Sequence, residues 1–94
     1  MVYKGAEQNN VHAQSMIGTM YYCGRGVSKD YKQAIKWYKM AAEQGDAMAQ
    51  YQVGFFYQQG IGVKRDMYEA IKWFSIASSN GSEDAAEALR EFSL

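Results

Sequence analysis

The chain has one histidine and one cysteine, the two residues whose combination could support nucleophilic catalysis. A histidine activates a cysteine thiol only when the two side chains are within hydrogen-bonding reach. His12 and Cys23 are eleven residues apart, which is roughly 16 Å along a helix. One His and one Cys also fall short of the three or four ligands of a zinc site. We therefore expect no catalytic residues, no metal site and no cofactor, and we interpret Cys23 as a small buried or half-buried apolar residue.

Two other patterns could bind phosphate groups. Gly24 and Gly26 resemble the start of a phosphate loop, but Lys29 stands where the third glycine is needed, so we interpret them as an interhelical turn. A basic run also occurs, consisting of Lys29, Lys32, Lys36 and Lys39. Because the ten basic and ten acidic residues of the chain balance, we interpret this run as a solvated outer face and expect no nucleic-acid partner.

The composition is that of one small domain. A chain of 94 residues buries only roughly 60 to 68% of its unfolded surface, so its core is thin. A single cysteine cannot form an intramolecular disulfide. No stretch approaches the roughly 18 apolar residues of a membrane span, and residues 1–10 lack the apolar centre of a signal peptide. We expect no membrane insertion, and a cytoplasmic location if the chain is complete as given.

The elements that position these residues come from an internal repeat with a period of 36 residues. Residues 11–46 and 47–82 are identical at 14 of 36 positions, and eight of the nine glycines fall in matched pairs. Residues 1–10 resemble the end of a preceding partial repeat. Residues 83–94 resemble the start of a following one, and we predict that they form a C-terminal capping helix.

Each repeat has the apolar spacing of two helices. The predicted core positions of the first helices are Ala13, Ile17, Met20 and Tyr21, with Ala49, Val53, Phe56 and Tyr57 one period later. Those of the second helices are Ala34, Trp37, Tyr38 and Ala41, with Ala70, Trp73, Phe74 and Ala77 one period later. Asp30, Asp66, Asp46 and Ser82 fit helix N-caps. Gly18 and Gly54 cost about 1 kcal/mol each in helix propensity, so we expect a close backbone crossing at each.

These residues follow the pattern A-x-x-x-I-G-x-x-Y-x-x-G-x-G-V-x-x-D-x-x-x-A-I-K-W-x-x-x-A-x-x-x-G, which resembles the Sel-one-like repeat of the tetratricopeptide superfamily. The resemblance implies an all-α, right-handed solenoid of antiparallel helix pairs and a role as adaptor or scaffold, often in bacterial signalling, secretion or envelope assembly. One branch with reported β-lactam binding has a cysteine pair in each repeat. Because the position of the partner of Cys23 holds Gln59, we do not transfer that activity.

A binding surface is predicted on the side of the first helices that faces away from the core. Counting about 100° per residue, the candidate partner-binding residues are Ser15, Thr19 and Tyr22 with His12 at the margin, and Tyr51, Phe55 and Gln58 with Met48 at the margin. Tyr51 and Phe55 are aromatics that the core does not require. They are explained equally well by binding a partner and by packing against the capping helix or against a repeat outside the chain.

We therefore predict a non-catalytic module that binds a protein or peptide segment. Two alternatives are a self-assembling fragment, dimeric or stacked through open solenoid ends, and an inhibitor or immunity-type protein that covers a partner's active site. An enzyme would need carboxylates converging in the groove, and we expect none there. The polar residues of the last helix, which we place on its outward face, are Asp84, Glu87, Arg90 and Glu91.

Overall fold

The computed structural model describes residues 10–92, which form five α-helices and, within that range, no strand. The helices are α1 (Val11–Cys23), α2 (Tyr31–Glu43), α3 (Ala47–Gln59), α4 (Met67–Ser79) and α5 (Glu83–Phe92). Each helix packs against the next one in the chain, and the Cα atoms extend over 45 × 23 × 16 Å. The predicted all-α solenoid of helix pairs is confirmed. Residues 1–9 of the predicted preceding repeat lie outside the described range.

Local capping explains where the helices begin and end. The residue before each helix accepts a hydrogen bond, 3.0 to 3.1 Å long, from the backbone N–H three residues later, which satisfies a donor that the helix itself cannot. These capping residues are Asn10, Asp30, Asp46, Asp66 and Ser82. Gly24 and Gly60 end α1 and α3 with φ of 73° and 72°, a left-handed conformation that favours glycine.

The core follows the predicted stripes most closely in the second repeat. Ala49, Val53 and Phe56 of α3 are fully buried, as are Ala34 and other residues of α2 and α4. In α1 the prediction is less accurate, because only Ile17 of its stripe is buried while Ala13, Met20 and Tyr21 are half-buried. The reason is the position of each helix in the stack. Among the described helices, α3 lies between α2 and α4, whereas α1 has a chain neighbour on one side only, which is α2.

The two helical glycines are sites of close approach to the second helix. A Cβ atom at Gly18 would lie 3.1 Å from the ring of Tyr38, and one at Gly54 would lie 2.8 Å from the ring of Phe74 and 3.3 Å from the carbonyl oxygen of Ala70. The helix backbone therefore comes close at Gly54, as predicted, whereas at Gly18 the nearest atoms all belong to an aromatic ring. The ring contributes apolar burial that offsets the low helix propensity of glycine.

Gln50 joins the two helix pairs, and its equivalent Gln14 forms a hydrogen bond within the first pair. Gln50 is 2% exposed; its side-chain nitrogen donates to the carbonyl oxygen of Ala42 at 3.0 Å, and its oxygen accepts from the amide of Asn80 at 2.9 Å. Its equivalent Gln14 accepts from the side chain of Gln44 at 2.7 Å. Because Ala42 and Asn80 belong to different repeats, the amide of Gln50 connects them through buried hydrogen bonds.

Candidate protein-binding face

The eight candidate residues lie on α1 and α3, and the equivalents of Met48, Tyr51 and Phe55 one more period along the chain lie on α5. We call the surface formed by these positions the first-helix face; it consists of His12, Ser15, Thr19, Tyr22, Met48, Tyr51, Phe55, Gln58, Asp84, Glu87 and Glu91. Two grooves lie on this face, one between α1 and α3 and one between α3 and α5.

The α1/α3 groove brings four of the candidates together. It has a volume of about 280 Å³ and is lined by His12, Ser15, Met16, Thr19, Met20, Arg25 and Met48. Met16 and Met48 are the exposed apolar side chains in it, at 53% and 47% of their maximal accessible surface. Flexible thioether side chains suit a surface that adapts to the shape of a bound segment.

The α3/α5 groove brings three other candidates together. It has a volume of about 340 Å³ and is lined by Tyr51, Phe55, Gln58, Gln59, Asp84, Glu87, Ala88 and Glu91. A depression of about 350 Å³ continues it toward the start of α5, and Met48 and Tyr51 both line that depression. Since Met48 also lines the α1/α3 groove, its side chain connects the two grooves.

Tyr51 and Phe55 are half-buried, and one part of each ring contacts the core while another part faces a groove. Both rings pack against a buried cluster formed by Ala70, Phe74, Ala77 and Ala85, with the ring centroids of Tyr51 and Phe74 5.6 Å apart. The same two side chains line the α3/α5 groove. They therefore contribute to the packing of α5 and also present part of their surface to solvent.

Tyr22 belongs to the core edge and lines neither groove. Its ring centroid lies 5.3 Å from that of Phe56 and 5.7 Å from that of Tyr31, and the side chain is half-buried. An aromatic residue in such contacts stabilises the packing between α1 and α3. The structure does not bring Tyr22 together with Tyr51, Phe55 and Met48 into the single apolar patch that the sequence suggested.

The hydroxyl groups of Ser15 and Thr19 have partners inside the protein. Ser15 is only 4% exposed and donates to the carboxylate of Asp46 at 3.0 Å, which corrects its predicted placement on an open surface. The cause is the start of α3, whose N-cap Asp46 lies over this part of α1. Thr19 donates to the Ser15 carbonyl oxygen at 3.1 Å and its hydroxyl also pairs with that of Tyr38.

Three carboxylates that the sequence analysis placed on an outward face line the α3/α5 groove instead: Asp84, Glu87 and Glu91. The expectation that carboxylates would be absent from the groove is therefore wrong. The 36-residue period itself contained the signal, because Met48, Tyr51 and Phe55 become these three residues when the offset is applied once more. Continuing the repeat into the last helix would have found them.

The two grooves differ in charge. Among the described residues that line the α3/α5 groove, none is Lys, Arg or His, whereas the α1/α3 groove is lined by His12 and Arg25 and by no carboxylate. The pKa of Tyr51 is raised above 10.0 by burial and then by the nearby charges of Asp84 and Glu91. The first-helix face is therefore acidic at its α5 side.

Cys23 is exposed, contrary to its predicted burial, because it lies at the end of α1 next to the turn. Within residues 10–92, no three His, Cys, Asp or Glu side chains are grouped so that they could hold a metal ion. None of the described helices is long and apolar enough to cross a membrane.

Comparison with known proteins gives one family. The model of the Sel1 repeat matches residues 11–46 and again residues 47–82, while none of the curated proteins gives a significant match. A Sel1 repeat protein from Oxalobacter formigenes is similar in structure, with a TM-score of 0.93 and 39% identity over 96% of this chain and 68% of that one.

Two further solved structures are similar. One is c5321, a protective antigen of uropathogenic Escherichia coli strains that displays an SLR fold, with a TM-score of 0.87, 40% identity, and coverage of 89% of this chain and 18% of that one. The other is cysteine rich protein B of Helicobacter pylori, with a TM-score of 0.88, 30% identity, and coverage of 93% and 65%. The chain thus spans less than two thirds of the length of these two proteins.

Proposed function

The chain belongs to the Sel1 repeat family, whose helical repeat modules generally mediate protein–protein interaction, and from this premise we propose that its first-helix face binds a segment of a partner protein. The module acts as an adaptor or scaffold and carries out no reaction. A family of this kind fixes the fold and leaves the ligand to the surface residues, so the proposal depends on the chemistry of the two grooves.

The observation that carries the proposal is the continuous apolar strip through Met48, Tyr51 and Phe55. Met48 is 47% exposed and lies between two grooves, each of which has space for partner side chains. Burying an exposed methionine and the free edges of two aromatic rings would stabilise a complex, because such residues often dominate binding energy at interfaces. Grooves that run between neighbouring helices suit an extended or helical segment.

Substitution of Met48 tests this proposal with the least damage to the fold. Tyr51 and Phe55 contact the buried cluster around Phe74, so their loss would disturb the packing of α5 as well as any binding. Met48→Ser removes exposed apolar surface only. Tyr68→Ser is the matched control, because Tyr68 is 88% exposed on α4 and lies outside both grooves.

The experiment is affinity capture from the lysate of the source organism, followed by measurement of the affinity of the captured protein for each variant. We expect Met48→Ser to weaken binding about tenfold, in line with a loss of ~1.4 kcal/mol from an apolar contact. Tyr68→Ser should bind as the unmodified chain does. Equal binding by all three proteins, or a loss confined to Tyr68→Ser, would contradict the proposal.

Self-assembly is a second candidate, favoured by the apolar surface of α4. Tyr68 and Ile71, 88% and 38% exposed, line a depression of about 460 Å³ with Lys72. If this surface joins two copies, the mass in solution rises with protein concentration and Tyr68→Ser abolishes the rise. A mass that stays constant with concentration would rule out self-assembly and leave binding of a partner protein as the proposed function.

A further inference from the structure

We propose that the segment bound by the first-helix face carries basic side chains at the end that lies against α5, where Asp84, Glu87 and Glu91 surround the rings of Tyr51 and Phe55. This inference rests on the proposed function and specifies the chemistry of the partner.

The face consists of columns of equivalent positions, one residue from each successive first helix. The columns are His12, Met48 and Asp84; Ser15, Tyr51 and Glu87; and Thr19, Phe55 and Glu91. Each of these three columns ends in a carboxylate on α5, while its member on α3 is Met48, Tyr51 or Phe55; the column of Tyr22 and Gln58 has no member on α5. A segment that runs along these three columns therefore passes from an apolar surface on α3 to an acidic one on α5.

The carboxylates of α5 are available to a ligand. Asp84, Glu87 and Glu91 are exposed. Glu87 forms an ion pair with Arg90 at 4.0 Å, in which the side chains of Arg90 and Glu87 are 71% and 73% exposed. A pair this exposed contributes little and exchanges readily for another cation. Three like charges along one side of the groove attract Lys and Arg and repel Asp and Glu.

The floor of the groove favours basic side chains over small cations. Lys and Arg have apolar stems that can lie on Tyr51, Phe55 and Ala88 while their charged ends reach the carboxylates. An aromatic ring also attracts a cation over its face. A metal ion would gain nothing from this apolar floor, and no metal-holding group of side chains occurs among the described residues.

The charge of the α1/α3 groove favours the same orientation of the bound segment. Arg25 lines this groove and no carboxylate does, so a basic end placed there would meet the like charge of Arg25. The two grooves together select the orientation in which the basic end contacts α5 and the apolar part contacts Met48. Electrostatic complementarity of this kind fixes the register of a complex.

The test uses two synthetic peptides of equal length that share an apolar half and differ in the other half, which is lysine-rich in one and glutamate-rich in the other. Their affinities are measured by fluorescence anisotropy for the unmodified chain and for Glu87→Gln/Glu91→Gln. The control is Glu43→Gln/Glu69→Gln, which changes the net charge by the same amount. Glu69 forms an ion pair with Lys72, as Glu87 does with Arg90, so each variant loses one ion pair. Neither Glu43 nor Glu69 lines either groove.

We expect the lysine-rich peptide to bind and the glutamate-rich one to fail. The groove variant should weaken binding of the lysine-rich peptide roughly fivefold at low salt, since each exposed charge pair contributes modestly, and this difference should shrink at ~1 M salt, where screening is strong. The control variant should bind like the unmodified chain. Both carboxylates are exposed, and circular dichroism verifies that α5 stays helical.

Three results would overturn the inference. One is equal affinity for the two peptides, and another is an equal loss in the groove and control variants. The third is that Met48→Ser weakens binding of both peptides while Glu87→Gln/Glu91→Gln weakens neither, which would leave the proposed function standing without charge selection. If Met48→Ser also has no effect on any ligand, the proposed function fails as well.

Discussion

Ser15 and Tyr51 are equivalent residues of the two repeats, and their different surroundings show how one backbone position acquires two roles. Ser15 is small, so the start of α3 closes over it and Asp46 accepts its hydroxyl hydrogen. Tyr51 is too large for that arrangement and packs its ring on Phe74, with its remaining surface in the α3/α5 groove. Helical counting assigns both to one face, but burial depends on side-chain volume and on the next helix.

Gln50 connects the two repeats, so its replacement should lower the free energy of unfolding more than replacement of an exposed glutamine on the same helix. Gln50→Ala leaves the Ala42 carbonyl oxygen and the Asn80 amide without this partner and opens space in the core. We expect a loss of about 2 kcal/mol in the free energy of unfolding, measured by urea denaturation. Gln59→Ala, at an exposed position of the same helix, should change it by less than about 0.5 kcal/mol. Equal losses would refute a linking role for Gln50.

Tyr38 should make the fold sensitive to alkali. Burial raises the pKa of its hydroxyl above 10.0, against a lowering by the hydrogen bond with Thr19. The folded state thus holds this proton more tightly than the unfolded state, so the stabilisation is present below pH 10.0 and is lost as the pH rises through the higher folded pKa. The urea midpoint should fall as the pH rises above 10.0, and less steeply in Tyr38→Phe. An unchanged slope in that variant would contradict this assignment.

At the scale of elements, the turn between α3 and α4 covers α2, the second helix of the first repeat. Ile61 and Val63 pack against the cluster that contains Ile35, which is 6% exposed. A Cβ atom at Gly62, between them, would lie 2.6 Å from the carbonyl oxygen of Tyr31, so only glycine fits there. Ile71, the equivalent of Ile35, is 38% exposed because no described turn covers α4.

This difference gives a matched pair of substitutions within one sequence motif. Ile35→Ala should lower the free energy of unfolding by about 2 to 4 kcal/mol, because it leaves a cavity in the core. Ile71→Ala removes the same atoms from a partly exposed position and should cost less than about 1.5 kcal/mol. Thermal and urea unfolding of both variants measure the difference. A similar cost at both positions would show that α4 is covered in solution, as self-assembly requires.

Gly54→Ala separates local propensity from packing. Alanine is the better helix former by about 1 kcal/mol, but its Cβ atom would lie 2.8 Å from the Phe74 ring, a contact that forces a core side chain to move. We expect a net destabilisation of about 1 to 3 kcal/mol, and a smaller one for Gly18→Ala, where the closest ring atom is at 3.1 Å. A gain in thermal stability at Gly54 would mean that the ring yields without cost.

The helices and their order could be predicted from the sequence because their signals are local: capping residues such as Asp30, glycines in left-handed conformation such as Gly60, and apolar spacing. The inward residues of α5 follow the same 36-residue period, because Ala85, Leu89 and Phe92 are the equivalents of Ala49, Val53 and Phe56. They belong to, or pack against, the buried cluster around Phe74. The acidic side of the α3/α5 groove was missed. Which neighbour the polar side of α5 faces depends on how the helices stack, and the local pattern within α5 carries no such information.

At the scale of the whole molecule, five helices in sequence make an elongated stack in which the first helices provide one continuous face. That face changes from histidine and hydroxyl side chains on α1, through Met48 and aromatic rings on α3, to carboxylates on α5. Contacts between chain neighbours form the stack, so a partner can contact all three helices without a change of fold. The rigidity of such a surface lowers the entropy lost when a segment binds.

The central claim, that the first-helix face is the binding surface, is tested most directly by mapping NMR chemical shifts of the backbone amides upon addition of the captured partner segment. We predict shifts at Met48, Gln58 and Glu87, with α2 and the exposed side of α4 unchanged. The same shifts should diminish in Met48→Ser. Shifts concentrated at Tyr68 and Ile71 of α4, with none on α1, α3 or α5, would contradict the claim.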